Sequence, residues 1–201
     1  MKKLAILLLL SVFGCNKKPT ENKIETQQTD TVQFKPAYKT AEAIPEKLYS
    51  ETEIEIDLQG NGNKTKASLQ QIKEQVGNPL EDGTPAEYII KFDNANIPSL
   101  NIGCCAAKLI NEGDLNNDGN EELSIYQEPM NGCTYTMTTY TFKNGEWKQL
   151  IPPFLIPTAC EEIPLDEIKK RVFQEKNKIY IYQTDINDEN LKLIKTEAKL
   201  Q

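Results

Sequence analysis

Oxygen-bearing side chains recur at every second position in the stretch GDLNNDGNEEL, residues 113–123. Ca²⁺ takes about six to eight oxygen ligands from carboxylates, amides, backbone carbonyls and water. If Asp114 is position 1, a glycine stands at position 6, where a tight calcium loop needs a sharp turn. The odd positions hold the candidate ligands Asp114, Asn116, Asp118, Asn120 (through its carbonyl) and Glu122. The spacing therefore predicts a structural calcium site.

Two other interpretations compete for this loop. A solvated turn uses the same residues, because Asn, Asp and Gly favour β-turns for backbone reasons. A full EF-hand is excluded, since its position 12 is glutamate and here it is Ile125. The stretch resembles the calcium loops of FG-GAP and VCBS-type repeats, seen in integrin-α-like β-propellers, where DxDxDGxxD joins a short strand to a blade. Asn116 and Glu122 replace aspartates of that motif and keep oxygen ligands.

Catalytic signatures are sparse. The chain has no histidine, which excludes histidine-dependent triads and imidazole metal ligands. The pairs Glu121/Glu122 and Glu161/Glu162 leave a glycan hydrolase as an alternative, since glycosidases use two carboxyl groups. Adjacent acids in a strand point to opposite faces, however. We therefore predict a non-enzymatic binding or accessory domain.

The start of the chain predicts export and lipidation. Lys2 and Lys3 precede a short apolar run, 4–13, as in a secretory signal peptide of residues 1–14. VFGC resembles the lipobox of bacterial lipoproteins, which implies that Cys15 carries the lipids and anchors the chain to a membrane. Asn16 is not the aspartate that retains some lipoproteins in the inner membrane. The resemblance therefore implies an outer-membrane address, facing either the periplasm or the outside.

Composition divides the remainder into a tether and one domain. Residues 16–45 hold few, aperiodic apolar side chains, so we predict a lipidated N-terminus and flexible tether over 15–47. A docked strand at 31–34 is the alternative. Residues 48–201 suffice for a single β-rich domain. Without residues 1–14 the chain keeps 21 of its 23 basic residues and all 30 acidic ones, a net charge of −9, which argues against nucleic acid as a partner.

Hydrophobic periodicity indicates how the loop is positioned. Apolar residues alternate with polar ones in most segments, the pattern of half-buried antiparallel strands. Asn144-Gly145 is a strong hairpin signal. A helix is predicted only at 165–172, after Pro164. The predicted strands are 52–58, 86–92, 122–127, 134–142, and a final hairpin of 178–185 with 191–200.

A weak internal repeat supports blade-like units. Residues 55–69 align with 112–126, because both read E-x-D-L-x-x-x-G-N. Asp57 is the only carboxylate of the first loop, 57–65, so we interpret that loop mainly as a structural turn. A closed propeller needs about four or more blades. The chain is too short for that, and we predict a mainly β, incomplete propeller-like stack of antiparallel meanders with few helices.

Four cysteines besides Cys15 suggest disulfides in an oxidising compartment. They are Cys104, Cys105, Cys133 and Cys160. Adjacent cysteines in a strand would face opposite sides, which disfavours a bridge between them. We therefore predict that Cys133 and Cys160 each pair with one of the adjacent two.

The partner is predicted only as an unknown protein or glycan. One candidate contact is the proline-bounded segment at Phe154, Leu155 and Ile156, as an exposed anchor of an inhibitor or accessory lipoprotein. The alternative buries Phe154 and Leu155 in the core. Trp147 follows the predicted hairpin turn, and we expect it to pack in the core or across strands rather than stack on a ligand.

Overall fold

Antiparallel strands form nearly all of the regular structure in residues 51–201, the part of the chain that the computed structural model describes. These residues belong to one compact unit. The elements are β1 (Glu53–Ile56), β2 (Thr65–Lys73), β3 (Glu87–Phe92), β4 (Leu100–Gly103), β5 (Ala107–Asn111), β6 (Leu123–Gln127), β7 (Thr134–Lys143), β8 (Glu146–Pro157), α1 (Leu165–Ile168), β9 (Val172–Glu175), β10 (Lys178–Thr184) and β11 (Leu193–Glu197). The prediction of a mainly β fold with few helices is confirmed.

Two four-stranded meanders carry the repeat. Their strand orders are β1-β2-β3-β4 and β5-β6-β7-β8. The two aligned segments, 55–69 and 112–126, each contain the connection between the first two strands of a sheet. The first predicted strand is shorter than expected, since β1 ends at Ile56 and Asp57 begins the loop. Leu58 nevertheless lies in the core, with 1% of its surface exposed.

The hairpin of β7 and β8 turns at the predicted dipeptide. Lys143 pairs with Glu146, and both Asn144 and Gly145 have positive φ, as a two-residue type I′ turn requires. β8 also accommodates Pro152 and Pro153. It is an edge strand, and its pairing with β7 skips both prolines at a register shift between Ile151 and Phe154, so neither removes a ladder bond.

The third sheet has the order β11-β10-β9 and contains the predicted final hairpin. The predicted helix is correct in place but too long. It ends at Ile168, because Val172 is 3% exposed and pairs with Ile181 as part of β9. Pro164 lies at its start, as expected.

Two apolar clusters form the core, one joining the two four-stranded sheets and one joining β6–β8 to α1, β9 and β10. Trp147 stacks on Phe92 with ring centroids 5.1 Å apart, and its indole N–H donates to the Pro98 carbonyl at 2.8 Å. The expectation that Trp147 packs in the core region is confirmed. Phe154 is buried while Leu155 is 59% exposed, so neither prediction for that segment is fully correct.

The predicted disulfide pairing is wrong. Cys104 is bonded to Cys105, and Cys133 to Cys160 with a Cα–Cα distance of 4.8 Å. The error lies in the premise that the adjacent cysteines occupy a strand. They lie in the bend between β4 and β5, where side chains need not alternate between two faces.

Residues 1–50 are not described, so the predicted signal peptide, Cys15 and the tether lie outside the described residues. Within 51–201, no helix has the length and apolar character needed to span a membrane.

Candidate metal centre

The candidate calcium loop connects β5 to β6 and is closed at its base by two backbone hydrogen bonds. Glu112 N–H donates to the Glu122 carbonyl at 3.0 Å, and Glu122 N–H donates to the Gly113 carbonyl at 2.9 Å. Asn117 and Gly119 have φ values of 60° and 93°. Asparagine and glycine are the residues that adopt this left-handed conformation most readily, which explains why the chain can turn so tightly here.

Three of the predicted ligands organise the turn through their side-chain oxygens. The Asp114 carboxylate accepts from the N–H of Asp118 at 3.1 Å and of Gly119 at 2.9 Å. The Asn116 amide oxygen accepts from Asp118 N–H at 2.8 Å, and the Asp118 carboxylate from Asn120 N–H at 3.1 Å. Each oxygen has two lone pairs, so an N–H bond on one leaves a second for a cation. The structure brings these three residues together around one turn.

Glu122 occupies a different environment. Its side chain is 0% exposed, and its two oxygens accept from Leu115 N–H at 2.7 Å and from the Asn116 amide at 3.1 Å. Burial above all, with the negative charges of Asp118 and Asp114, raises the pKa of Glu122 to about 7 against the lowering effect of the Leu115 bond. A cation held beside these acids would favour the ionised carboxylate.

Asn120 closes the loop against the neighbouring strand. Its side-chain amide donates to the Phe142 carbonyl at 3.3 Å, which ties the loop to the end of β7. The amide group is thus used for packing.

Lys143 is a residue that the sequence interpretation missed. Its ammonium lies 3.2 Å from the second carboxylate oxygen of Asp118, although it is 25 residues away in sequence. Burial raises the pKa of Asp118, but the Asn120 N–H and Lys143 lower it by more, so the net shift is downward. Lys143 therefore supplies a positive charge beside one of the candidate ligand oxygens.

The donor set suits a hard cation that accepts mixed oxygen ligands. In residues 51–201, no group of three or more acidic or cysteine side chains is arranged to hold a metal by itself. Amide and carbonyl oxygens are ordinary calcium ligands, however. The loop offers the two carboxylates of Asp114 and Asp118, the Asn116 amide oxygen, the Asn120 carbonyl and, behind them, Glu122.

The first loop, 57–65, uses its one carboxylate for backbone bonds. Asp57 accepts from the N–H of Gly62 at 2.6 Å and from those of Gln59 and Asn61 at 3.3 Å each. Thr65, which stands where the last acid would be, is buried at the start of β2. These bonds resemble those of Asp114, so the two loops differ in composition: 57–65 has one carboxylate and ends in Thr65, which supports its interpretation as a structural turn.

The two loops contact each other directly. Asp57 N–H donates to the Glu121 carboxylate at 2.7 Å, and Glu121 N–H donates to the Asp57 carbonyl at 2.9 Å. The Asn111 amide donates both to that carboxylate, at 2.8 Å, and to the Glu55 carbonyl at 3.0 Å. The first loop therefore supports the second through these hydrogen bonds.

The adjacent acids proposed for a hydrolase do not form one centre at Glu121 and Glu122. Glu121 bonds the first loop, whereas Glu122 is buried within its own loop. Glu161 and Glu162 instead line a cleft of 380 Å³ together with Glu128.

No protein-family model, curated protein or solved structure matches the chain.

Proposed function

We propose that the chain is a lipid-anchored protein of the bacterial cell envelope whose β domain is stabilised by calcium at residues 114–122. One observation supports the calcium site: the side-chain oxygens of Asp114, Asn116 and Asp118 lie along a single turn, where each accepts a backbone N–H of that turn. Extracellular calcium modules bind with dissociation constants of about 10⁻⁴–10⁻³ M. The ion is then a structural brace rather than a switch.

The anchoring half depends on Cys15 and the lipobox-like VFGC before it. Several acyl chains give stable membrane attachment, where one chain gives reversible binding. The chain would be held at the outer membrane by its lipid, with the tether 15–47 separating the domain from the bilayer. Metabolic labelling with palmitate tests this half. The wild-type chain should be labelled and float with membranes, and Cys15→Ser should do neither.

The biochemical role that best fits is binding or accessory, with an unidentified protein or glycan as partner. Catalysis by Glu121 and Glu122 is disfavoured because their carboxyl groups serve different structural bonds. Glu161 and Glu162 keep a glycan hydrolase as the second candidate, since they share one cleft with Glu128. Release of reducing ends from peptidoglycan or polysaccharide, abolished by Glu161→Gln or Glu162→Gln, would establish that alternative.

A further inference from the structure

Two adjoining clefts are lined by residues of the segment 158–164, away from the calcium loop. They have volumes of 380 Å³ and 260 Å³ and share four lining residues: Thr158, Glu161, Glu162 and Ile163. Residues 112–122 line neither cleft. Any ligand held there would therefore be recognised by different chemistry from that of the calcium loop.

Arg171 lines the smaller cleft, and its guanidinium is buried and only partly hydrogen-bonded. It is 6% exposed, and its Nη1 donates to the Tyr182 carbonyl and the Thr184 hydroxyl at 3.3 Å each. Its Nε is buried with no hydrogen-bond partner among residues 51–201. None of the ion pairs within that range includes Arg171. An unpaired buried charge is costly, and Arg171 lines the smaller cleft, so an anionic oxygen that enters this cleft would stabilise the guanidinium.

Apart from Arg171, the charged residues of the smaller cleft are all acidic. Glu161, Glu162 and Glu167 line it with exposed side chains, against the single positive charge of Arg171. A simple anion would be repelled by three carboxylates, and a simple cation would meet the guanidinium. A ligand that carries both a carboxylate and an ammonium group satisfies both sets of charges.

The larger cleft adds an aromatic surface. Tyr126 and Tyr135 line it and stack with ring centroids 4.7 Å apart and planes 5° from parallel. Its one lysine, Lys108, is already paired with Glu51 at 2.7 Å and Glu162 at 3.2 Å. Glu128 also lines this cleft and takes part in none of these ion pairs. Tyrosine rings and carboxylates together attract organic cations, guanidinium groups above all.

We propose that the two clefts together bind a basic α-amino acid, such as arginine. Its carboxylate pairs with Arg171, and its α-ammonium group with the glutamates shared by the clefts, Glu161 and Glu162. Its cationic side chain extends into the larger cleft, toward the tyrosine pair and Glu128. The site is independent of calcium, because the loop supplies none of its lining residues.

Isothermal titration of the full-length chain with L-arginine tests the proposal, with agmatine and L-citrulline as probes. Agmatine lacks the carboxylate, and L-citrulline lacks the side-chain charge. We expect L-arginine to bind at least about tenfold more tightly than either, the factor expected for one lost charged contact. Arg171→Gln should remove the preference for L-arginine over agmatine.

Glu162→Gln tests the site without changing a buried residue, because the Glu162 side chain is 85% exposed. It should weaken L-arginine binding severalfold, while Glu146→Gln, an exposed glutamate outside both clefts, should not. The proposal is overturned if L-arginine gives no binding at millimolar concentration, or if agmatine binds as tightly. It is also overturned if Glu162→Gln and Glu146→Gln behave alike.

Discussion

Asp57 and Glu121 hold each other through two hydrogen bonds, one to the Glu121 carboxylate at 2.7 Å and one to the Asp57 carbonyl at 2.9 Å. They occupy the first connecting loops of two successive four-stranded sheets and are 64 residues apart. The candidate calcium loop is thus stabilised by the loop that its own sequence repeats. This support should raise the affinity of the second loop for a divalent ion, because ligands that are already in position lose less entropy on binding.

Gly60→Ala tests this support. A Cβ at Gly60 would lie 2.8 Å from the Gly119 carbonyl carbon and closer still to its oxygen, both backbone atoms. Because backbone cannot move aside cheaply, we expect the variant to lose about 1–3 kcal/mol of unfolding free energy beyond the cost of its positive φ. Calcium binding should weaken as well. Urea unfolding and calcium titration measure the two effects.

Gly62→Ala is the matched control for that experiment. Gly62 also has a positive φ, of 79°, but a Cβ there would meet no atom within 4 Å. It should lose only the roughly 1–2 kcal/mol that left-handed backbone costs a non-glycine residue. Equal losses in Gly60→Ala and Gly62→Ala would show that the two loops are not in close contact.

Lys143→Gln should strengthen calcium binding. The Lys143 ammonium lies 3.2 Å from the Asp118 carboxylate and competes with a cation for it. Its side chain is 55% exposed, so solvent screens the pair and the gain should be modest, about two- to fivefold in affinity. Lys148→Gln, at an exposed lysine on β8, is the control. A weaker affinity in Lys143→Gln would indicate that the lysine supports the loop rather than competes for it.

A partly buried acid next to the loop should make stability depend on pH. Burial raises the pKa of Glu112 to about 8 against smaller lowering effects of Ser124 and Lys169, and its Oε1 has no hydrogen-bond partner within residues 51–201. The folded state therefore holds a proton that the unfolded state releases above its ordinary pKa of 4.5. The contribution of Glu112 to stability is therefore fully present below pH 4.5 and is lost as pH rises toward about 8.

Glu112→Gln should lose less stability than the wild type as pH rises, and it should be the more stable of the two at pH 8. It should not abolish the fall, because the pKa of Glu122, about 7, lies in the same window. Urea unfolding at pH 5 and pH 8 in chelator measures the difference. A wild-type domain that gains stability over this range, with Glu112→Gln unchanged from it, would contradict the account.

The disulfide pairs are open to direct chemical mapping. After trypsin, residues 92–108 should carry Cys104 and Cys105 oxidised together, and 109–143 should be linked to 149–169 through Cys133 and Cys160. Replacing Cys133 and Cys160 with serine should cost about 2–5 kcal/mol, since the bridge closes a 27-residue separation. A peptide joining 92–108 to either of the other two would restore the originally predicted pairing.

Local patterns in the sequence identify local structure well. Asn144-Gly145 predicts the β7–β8 turn, and the β-branched and aromatic content of 122–127 predicts β6. The spacing from Asp114 to Asp118 also predicts which side chains share one turn. In each case the interacting residues are close in sequence, so propensity and spacing suffice.

Contacts between distant residues are harder to infer. Lys143 reaches Asp118 because the end of β7 lies beside the loop, and Asp57 reaches Glu121 because the two sheets pack together. Neither follows from spacing. The pairing of Cys104 with Cys105 was missed for a related reason, since alternation of faces applies to strands and these residues lie in a bend.

The most direct test of the central claim is a thermal melt of residues 16–201 in calcium, magnesium and chelator, with Asp118→Ala beside it. A ligand that binds only the folded state stabilises it by mass action. We predict that millimolar calcium raises the melting temperature of the wild type, that magnesium has a smaller effect, and that Asp118→Ala loses the calcium response. A wild-type melting temperature that calcium does not change would contradict the calcium site and leave residues 114–122 as a hydrogen-bonded turn.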